Sequence, residues 1–99
     1  SDLRQTSGIT AEVTATRPVS LGMEVACQVR NATANTAEQV VLRVTVLGDQ
    51  GQILAANPLA SVTDLAARQS RKVTFVVPLQ PAQTNAKANI NVSLVRWRR

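Results

Sequence analysis

Residues 25–54 read VACQVRNATANTAEQVVLRVTVLGDQGQIL, and this stretch decides the fold. It contains three apolar runs of the β-strand type, separated by polar turns at residues 31–35 and 48–51. Short β-branched runs bounded by Asn, Asp, Gly and Thr are typical of strands joined by tight connections. The stretch therefore predicts antiparallel β-structure, in which residues 40–47 pair with residues 52–55 as a hairpin.

Along most of the chain, apolar side chains recur at every second position, which is the period of a strand with one buried face. Arg17-Pro18 and Pro78 are expected to close their strands, because proline has no amide hydrogen for the ladder. The rows expected to face a common core are Ile9, Ala11, Val13 and Ala15; Met23, Val25, Cys27 and Val29; Val73, Phe75 and Val77; and Ala88, Ile90, Val92 and Leu94.

Two segments depart from this alternation. Residues 40–47 are apolar on both parities except at Arg43 and Thr45, which predicts a central strand covered from both sides. Residues 61–69 contain helix formers and a candidate N-cap at Ser61. They predict either a single short helical turn or an extended connection.

The number and spacing of these segments define the fold class. About seven strands separated by polar turns predict an all-β fold, an immunoglobulin-like antiparallel β-sandwich. A chain of 99 residues is long enough for one such core. We expect residues 9–99 to form that single domain, and residues 1–8 to be a linker or the remnant of a longer chain. No apolar run reaches the roughly 18 residues needed to cross a bilayer, so no transmembrane segment is expected.

The composition excludes several chemistries. The chain has no histidine and one cysteine, so an internal disulfide and the usual zinc, copper and haem ligand sets are excluded. Asp49 and Asp64 have no carboxylate partner nearby in sequence, and no Gly-rich phosphate loop is present. We therefore expect a protein that is not an enzyme, with no metal and no cofactor. Cys27, between Val25 and Val29, is expected to fill the core.

Eleven basic and six acidic residues give a net charge of +5. This excess either keeps a small domain soluble or attracts nucleic acid, acidic lipid, acidic polysaccharide or an acidic protein. The candidate anion-binding or partner-binding residues fall into two groups. They are Arg68, Arg71, Lys72 and Lys87 in the first group, and Arg96, Trp97, Arg98 and Arg99 at the C-terminus.

Trp97 stands out because it lies between arginines. Strict alternation from Leu94 places Trp97 on the face opposite the core row and Arg96 along the core parity. The indole then either stacks on a base, a sugar or a partner side chain, or packs on a neighbouring strand or over the end of the sandwich. With one Trp, one Phe and no Tyr, the chain lacks the exposed aromatics typical of specific nucleic-acid readout.

Two triplets match the acceptor pattern for N-glycosylation: Asn31-Ala32-Thr33 and Asn91-Val92-Ser93. Triplets of this kind are frequent in any sequence, and nothing else in the chain marks a eukaryotic secreted protein. We interpret both triplets as chance matches.

The order of several segments resembles a known family. Val29-Arg30-Asn31 is followed by a polar loop, by a long strand that runs into Gly48-Asp49-Gln50-Gly51, and then by Leu65 and the strand Val73-Thr74-Phe75. This order resembles the FxLYD-type domains of bacterial envelope proteins over roughly residues 23–77 and, more distantly, the stress-associated WHy domain. The resemblance implies a non-catalytic module of an exported or membrane-associated protein, whose role is spacing or protein contact.

Two functions from different classes follow. The first is an immunoglobulin-like interaction or spacer module, part of a larger bacterial envelope-associated chain, that binds a protein partner through a sheet edge or its loops. Residues 9–16 are the expected docking edge, because Glu12 is their only charge. The alternative is a basic domain that binds an anionic polymer or surface. Its expected contacts are Arg68, Arg71, Lys72, Arg96, Arg98 and Arg99.

Overall fold

The structure, a computed structural model, describes residues 8–78 and 87–98. These residues form six antiparallel strands and no helix. The strands are β1 (Ile9–Val19), β2 (Gly22–Asn31), β3 (Ala37–Leu47), β4 (Ile53–Leu65), β5 (Ser70–Pro78) and β6 (Lys87–Trp97). One sheet has the order β1–β2–β5 and the other has the order β4–β3–β6. The prediction of an all-β chain of antiparallel sheets is confirmed, with six strands in these ranges where about seven were expected.

Of the four connections that lie within the described residues, two stay within a sheet and two cross between the sheets. Ser20-Leu21 joins β1 to β2, and residues 48–52 join β3 to β4. The hairpin predicted between residues 40–47 and 52–55 is therefore confirmed. Residues 32–36 carry the chain from β2 to β3, and residues 66–69 carry it from β4 to β5. The loop predicted at residues 80–85 lies outside the described residues.

The core lies between the two sheets, and its centre is formed by the middle strands β2 and β3. The inward row of β2 is buried as predicted, and Cys27 is 1 % exposed within it. Burial raises the pKa of the Cys27 thiol above its ordinary value of 9.0. Half-buried apolar residues of the outer strands, among them Phe75, close the sides of this core.

The middle position of β3 is confirmed, but its cover is one-sided. Val40, Leu42, Val44 and Val46 are fully buried against the other sheet. On the opposite face Thr45 is also buried, but Val41 is half-buried and Arg43 is exposed. The prediction of cover from both sides was therefore wrong, because a two-layer sandwich leaves the outer face of each sheet to solvent.

The start of the chain also differs from prediction in two places. Pro18 does not end β1, since it pairs with Met23 and the strand continues to Val19. An edge strand tolerates a proline whose missing amide hydrogen faces away from its neighbour. A bulge between Val13 and Ala15 reverses the parity, so Ala15 is exposed instead of inward.

Residues 61–69 contain no helical turn. Strand β4 continues through Leu65, and the amide of Gln69 donates to the carbonyl of Ala66 at 3.0 Å to form a tight turn. Val62 and Leu65 are buried in the core and pair with β3. Tertiary pairing and burial therefore override the weak helical preference of this segment.

A second bulge changes the last strand. Val92 pairs with Leu42 and Leu94 pairs with Val41, so Ser93 is an extra residue in β6. The parity reverses at this bulge: Leu94 is 46 % exposed and Val95 is 1 % exposed. The inward row predicted through Leu94 was wrong at that residue, because a single inserted position turns every later side chain to the other face.

Candidate functional site

The two crossing connections meet at one end of the sandwich. The amide of Asn31 donates to the carbonyl of Gln69 at 2.8 Å, and the amide of Arg98 donates to the carbonyl of Thr36 at 3.0 Å. The amide of Ala32 donates to the carbonyl of Gly8 at 2.8 Å, which ties the start of β1 to the same place. We call this region the loop end. It comprises residues 8–12, 30–38, 63–72 and 95–98.

Asn31 organises the loop end from inside. It is fully buried, and its side-chain amide donates to the carbonyls of Asn35 at 2.7 Å and Leu65 at 3.1 Å. Its side-chain oxygen accepts from the amide of Thr33 at 2.9 Å and from the Thr33 hydroxyl at 2.6 Å. Both amide hydrogens and the acceptor oxygen are therefore used. Asn31 therefore has a structural role. Its buried side-chain amide is not accessible to glycosylation in the folded chain, whereas Asn91 is exposed.

Arg68 fastens the turn between β4 and β5 to the loop between β2 and β3. It adopts the left-handed conformation, with φ of 63°, and its amide donates to the carbonyl of Thr33 at 3.2 Å. Its guanidinium donates to the carbonyl of Ala32 at 2.9 Å. This candidate anion-binding residue thus has a structural role, although its positive charge is not neutralised by that carbonyl.

Arg71 bridges the two sheets in a similar way. It lies on the inward parity of β5, opposite Val29, and its guanidinium reaches across to β4. Its two terminal nitrogens donate to the carbonyls of Thr63 at 2.6 Å and Asp64 at 2.9 Å. Asp64 has a left-handed backbone, with φ of 54°. Arg71 therefore supplies hydrogen-bond donors to two carbonyls near the end of β4.

Two ion pairs lie at the surface of the loop end. Arg96 contacts Glu38 at 3.4 Å, and Arg98 contacts Asp64. The side chains of the two arginines are 63 % and 54 % exposed. Ion pairs this exposed contribute little to stability, and both arginines remain accessible to a partner.

Trp97 does not lie where strict alternation placed it. The bulge at Ser93 turns Trp97 inward, where it is half-buried against the core opposite Ala37, and turns Arg96 outward. The predicted orientations of both residues were wrong for this reason. The indole covers the end of the core, which was the second of the two roles considered for it.

Of the remaining candidates, Lys72 belongs to the loop end and Lys87 does not. Lys72 is exposed on the outer face of the first sheet, opposite Gln28. Lys87 pairs with Leu47 at the far end of β6. The ten steps along β6 from Lys87 to Trp97 correspond to about 33 Å, so Lys87 does not belong to the loop end. Arg99 lies outside the described residues.

The positive charge of the described residues is concentrated at the loop end. Six of their nine basic residues and three of their five acidic residues lie there. The loop end therefore carries a net charge of +3 out of the net charge of +4 of the described residues. The basic residues are Arg30, Arg68, Arg71, Lys72, Arg96 and Arg98; the acidic residues are Glu12, Glu38 and Asp64. The opposite end, which we call the hairpin end (residues 17–24, 46–54, 76–78 and 87–89), carries two residues of each sign.

Arg30 was missed by the sequence analysis. It lies beside Thr10 across β1 and β2, and with Glu12 and Gln28 it lines a shallow surface depression of about 200 Å³ at the loop end. Sequence spacing does not indicate this neighbourhood, because Thr10 and Arg30 meet only through the pairing of the two strands. The sequence signal that could have identified Arg30 is its position near the end of a strand, just before a polar loop.

Within residues 8–78 and 87–98, no group of three or more His, Cys, Asp and Glu side chains is arranged to hold a metal ion. The same ranges contain no helix long and apolar enough to cross a membrane. Comparison with known proteins found no matching family model, no matching curated protein and no matching solved structure.

Proposed function

We propose that this chain is a non-catalytic, immunoglobulin-like interaction or spacer module that contacts a protein partner through its loop end. In this proposal the module belongs to a larger, bacterial envelope-associated protein and lies outside the cytoplasm or at a membrane. The envelope assignment rests on the FxLYD-type resemblance of residues 23–77. The binding role rests on the geometry of the loop end.

The strand order supports the immunoglobulin-like part of the proposal. In such domains the first, second and fifth strands (A, B and E) share one sheet. The third strand (C) pairs in the other sheet with strand F, which follows E in the chain. Here β5 returns beside β2, and β6 returns beside β3. In this proposal the six strands take the places of A, B, C, C′, E and F of an immunoglobulin-like sandwich.

One observation carries the choice of surface: most of the net positive charge lies where two crossing loops are held by internal hydrogen bonds. The loop bonds at Asn31 and Arg68 order the backbone before any partner arrives. A surface ordered in advance loses less conformational entropy on binding. An excess of positive charge attracts an acidic partner surface and speeds the encounter.

The same charges support a second candidate, the binding of an anionic polymer or surface. Lys72 and Arg30 are exposed on one sheet, and Arg96 is exposed on the other, so cations lie on both sides of the loop end. A polyanion that wraps this end would contact both sheets. Such binding weakens steeply with salt, because counterions are released from the polymer.

The test compares two triple variants that each remove three positive charges. The loop-end variant carries Arg30→Gln, Lys72→Gln and Arg96→Gln; the control carries Arg17→Gln, Arg43→Gln and Lys87→Gln. The sets are matched, because each includes one arginine of an exposed ion pair, Arg96 with Glu38 or Arg17 with Glu24. Arg68 and Arg71 are left in place, because they hold backbone carbonyls.

The readout is retention on immobilised polyglutamate and on heparin at about 0.15 M salt. We expect the wild type and the control to be retained on polyglutamate and the loop-end variant to elute early. Stronger retention on heparin, with the same dependence on the loop end, favours the polyanion candidate. Equal loss of retention by both variants contradicts the assignment of the loop end as the binding surface.

A further inference from the structure

Each sheet has two edge strands, and each edge strand has a side with which no strand of residues 8–78 and 87–98 pairs. An unpaired strand edge presents amide and carbonyl groups to which another strand can add. Proteins blunt such edges with bulges, prolines and charges. The four edges of this sandwich differ in how far they are blunted.

Three of the four edges are interrupted. Strand β1, the docking edge expected from the sequence, has a bulge at Thr14 and contains Pro18. Strand β4 contains Pro58 and two shifts of register against β3. Strand β6 has the bulge at Ser93. Bulges twist an edge away from a straight partner and leave its amides out of register.

Strand β5 is different. All nine of its residues pair with β2 in one continuous register, from Ser70 opposite Arg30 to Pro78 opposite Gly22. Residues 73–77 read VTFVV, which are strong β-formers. Val76 is 42 % exposed, and Val73 and Phe75 are only half-buried. This edge is straight, apolar over half its length and unblunted there.

We propose that β5 pairs antiparallel with β5 of a second copy of this chain, about a two-fold axis through Thr74. In that register all nine residues of one β5 lie opposite the nine residues of the other, because Thr74 is the central residue of the strand. Ser70 of one copy then lies opposite Pro78 of the other, where proline ends the ladder. The inference is independent of the proposed function, because it needs only the edge of β5 with which no described strand pairs.

The side chains of this register fit each other. Val73 of one copy lies opposite Phe75 of the other, twice, and a β-branched residue opposite an aromatic one is a favourable cross-strand pair. Lys72 lies opposite Val76, which its aliphatic stem covers while the ammonium group stays in water. The two Lys72 ammonium groups are about 14 Å apart along the strands. That separation exceeds the Debye length of about 8 Å at physiological salt.

The charges of β6 argue against the same arrangement there. Full antiparallel overlap of two β6 strands would place Lys87 of one copy opposite Trp97 and next to Arg96 of the other, twice. Like charges on adjacent cross-strand positions are destabilising. Strand β5 is therefore the edge whose charge pattern and straight ladder both favour a second copy.

The first test measures self-association by analytical ultracentrifugation from micromolar to near-millimolar concentration. We expect a monomer–dimer equilibrium for the wild type. Val76→Lys places a lysine opposite each Lys72, and we expect the dimer to dissociate about tenfold more readily. Adding Lys72→Glu to Val76→Lys restores an opposite charge at both positions, and we expect it to restore the dimer. The matched control is Ala15→Lys, at an exposed position of the β1 edge.

The second test does not depend on the stability of Val76→Lys. Thr74→Cys places one thiol of each copy at the two-fold axis, where directly opposed Cα atoms are about 4.5–5.5 Å apart. A disulfide spans that distance, so oxidation should give a covalent dimer. Thr10→Cys, exposed on β1, is expected to give none. Three results would overturn the proposal: the wild type stays monomeric at every concentration, both cysteine variants cross-link equally, or Val76→Lys leaves the dimer unchanged.

Discussion

The loop end and the hairpin end are closed in different ways, although the same two sheets run between them. At the hairpin end, the two described turns, at residues 20–21 and 48–52, each join neighbouring strands of one sheet. The bonds of the second turn are local: the amide of Gly48 donates to the carbonyl of Gln52 at 2.8 Å. At the loop end, the connections cross between sheets and are held by distant residues, as in the contact of Asn31 with Leu65 at 3.1 Å. Local turns are readable from sequence, whereas cross-sheet connections depend on the assembled fold.

The two ends also differ in surface chemistry. The hairpin end is electrically balanced and exposes apolar side chains, with Leu21 77 % and Ile53 60 % exposed. The loop end carries the positive charge together with its buried polar network. The polar network fixes the positions of Arg68 and the adjoining loop backbone, so the residues that order this end lie beside the candidate binding residues Arg30, Lys72 and Arg96.

The largest expected effect is the loss of Asn31. Asn31→Ala removes four hydrogen bonds of a buried side chain, among them the bond to the carbonyl of Leu65, so we expect the free energy of unfolding to fall by about 3 kcal/mol. Urea denaturation measures this change. The control is Asp49→Ala in the exposed turn of the hairpin end, expected to change stability by less than about 0.5 kcal/mol. Similar losses from both variants would mean that the network at Asn31 does not hold the loop end.

A smaller loss of stability is expected when a glycine is replaced by alanine, and its size should differ between Gly8 at the loop end and Gly51 at the hairpin end. Gly8 and Gly51 have φ of 85° and 79°, so alanine is strained at both, by about 1 kcal/mol. A Cβ at position 8 would also collide with the side-chain methyl of Thr33, whereas a Cβ at position 51 meets open space. We expect Gly8→Ala to cost about 2 kcal/mol and Gly51→Ala about half as much. Thermal unfolding ranks the two variants, and the reverse order would contradict the packing of Gly8 on the loop.

The smallest effect concerns the core between the ends. Burial raises the pKa of the Cys27 thiol, so above the ordinary value of 9.0 the unfolded chain releases a proton that the folded chain retains. Stability from this group is therefore complete below pH 9 and is lost as pH rises, by at most about 1.4 kcal/mol per pH unit. Urea denaturation between pH 7 and 10 should show a steeper decline for the wild type than for Cys27→Ala. Parallel curves would show that the thiol titrates alike in both states.

The outcomes for individual residues show where sequence reasoning stopped. The inward row from Met23 to Val29 was predicted correctly, because β2 pairs without interruption on one side and with one bulge in its partner on the other. Leu94 and Trp97 were assigned to the wrong faces, because the bulge at Ser93 has no signature in the alternation before it. Arg68 and Arg71 were recognised as members of a basic cluster, but their carbonyl partners come from other connections and strands.

The amino-acid sequence by itself determined an all-β chain, the hairpin at residues 48–52, a buried thiol at Cys27 and a net positive charge. Each of these depends on residue type and on a period of two, which are local properties of the chain. The tertiary structure alone decided which strands lie at the edges, where the bulges fall and which end of the sandwich carries the charge. Those features depend on register between distant strands, and a shift of one residue in register turns a side chain from core to solvent.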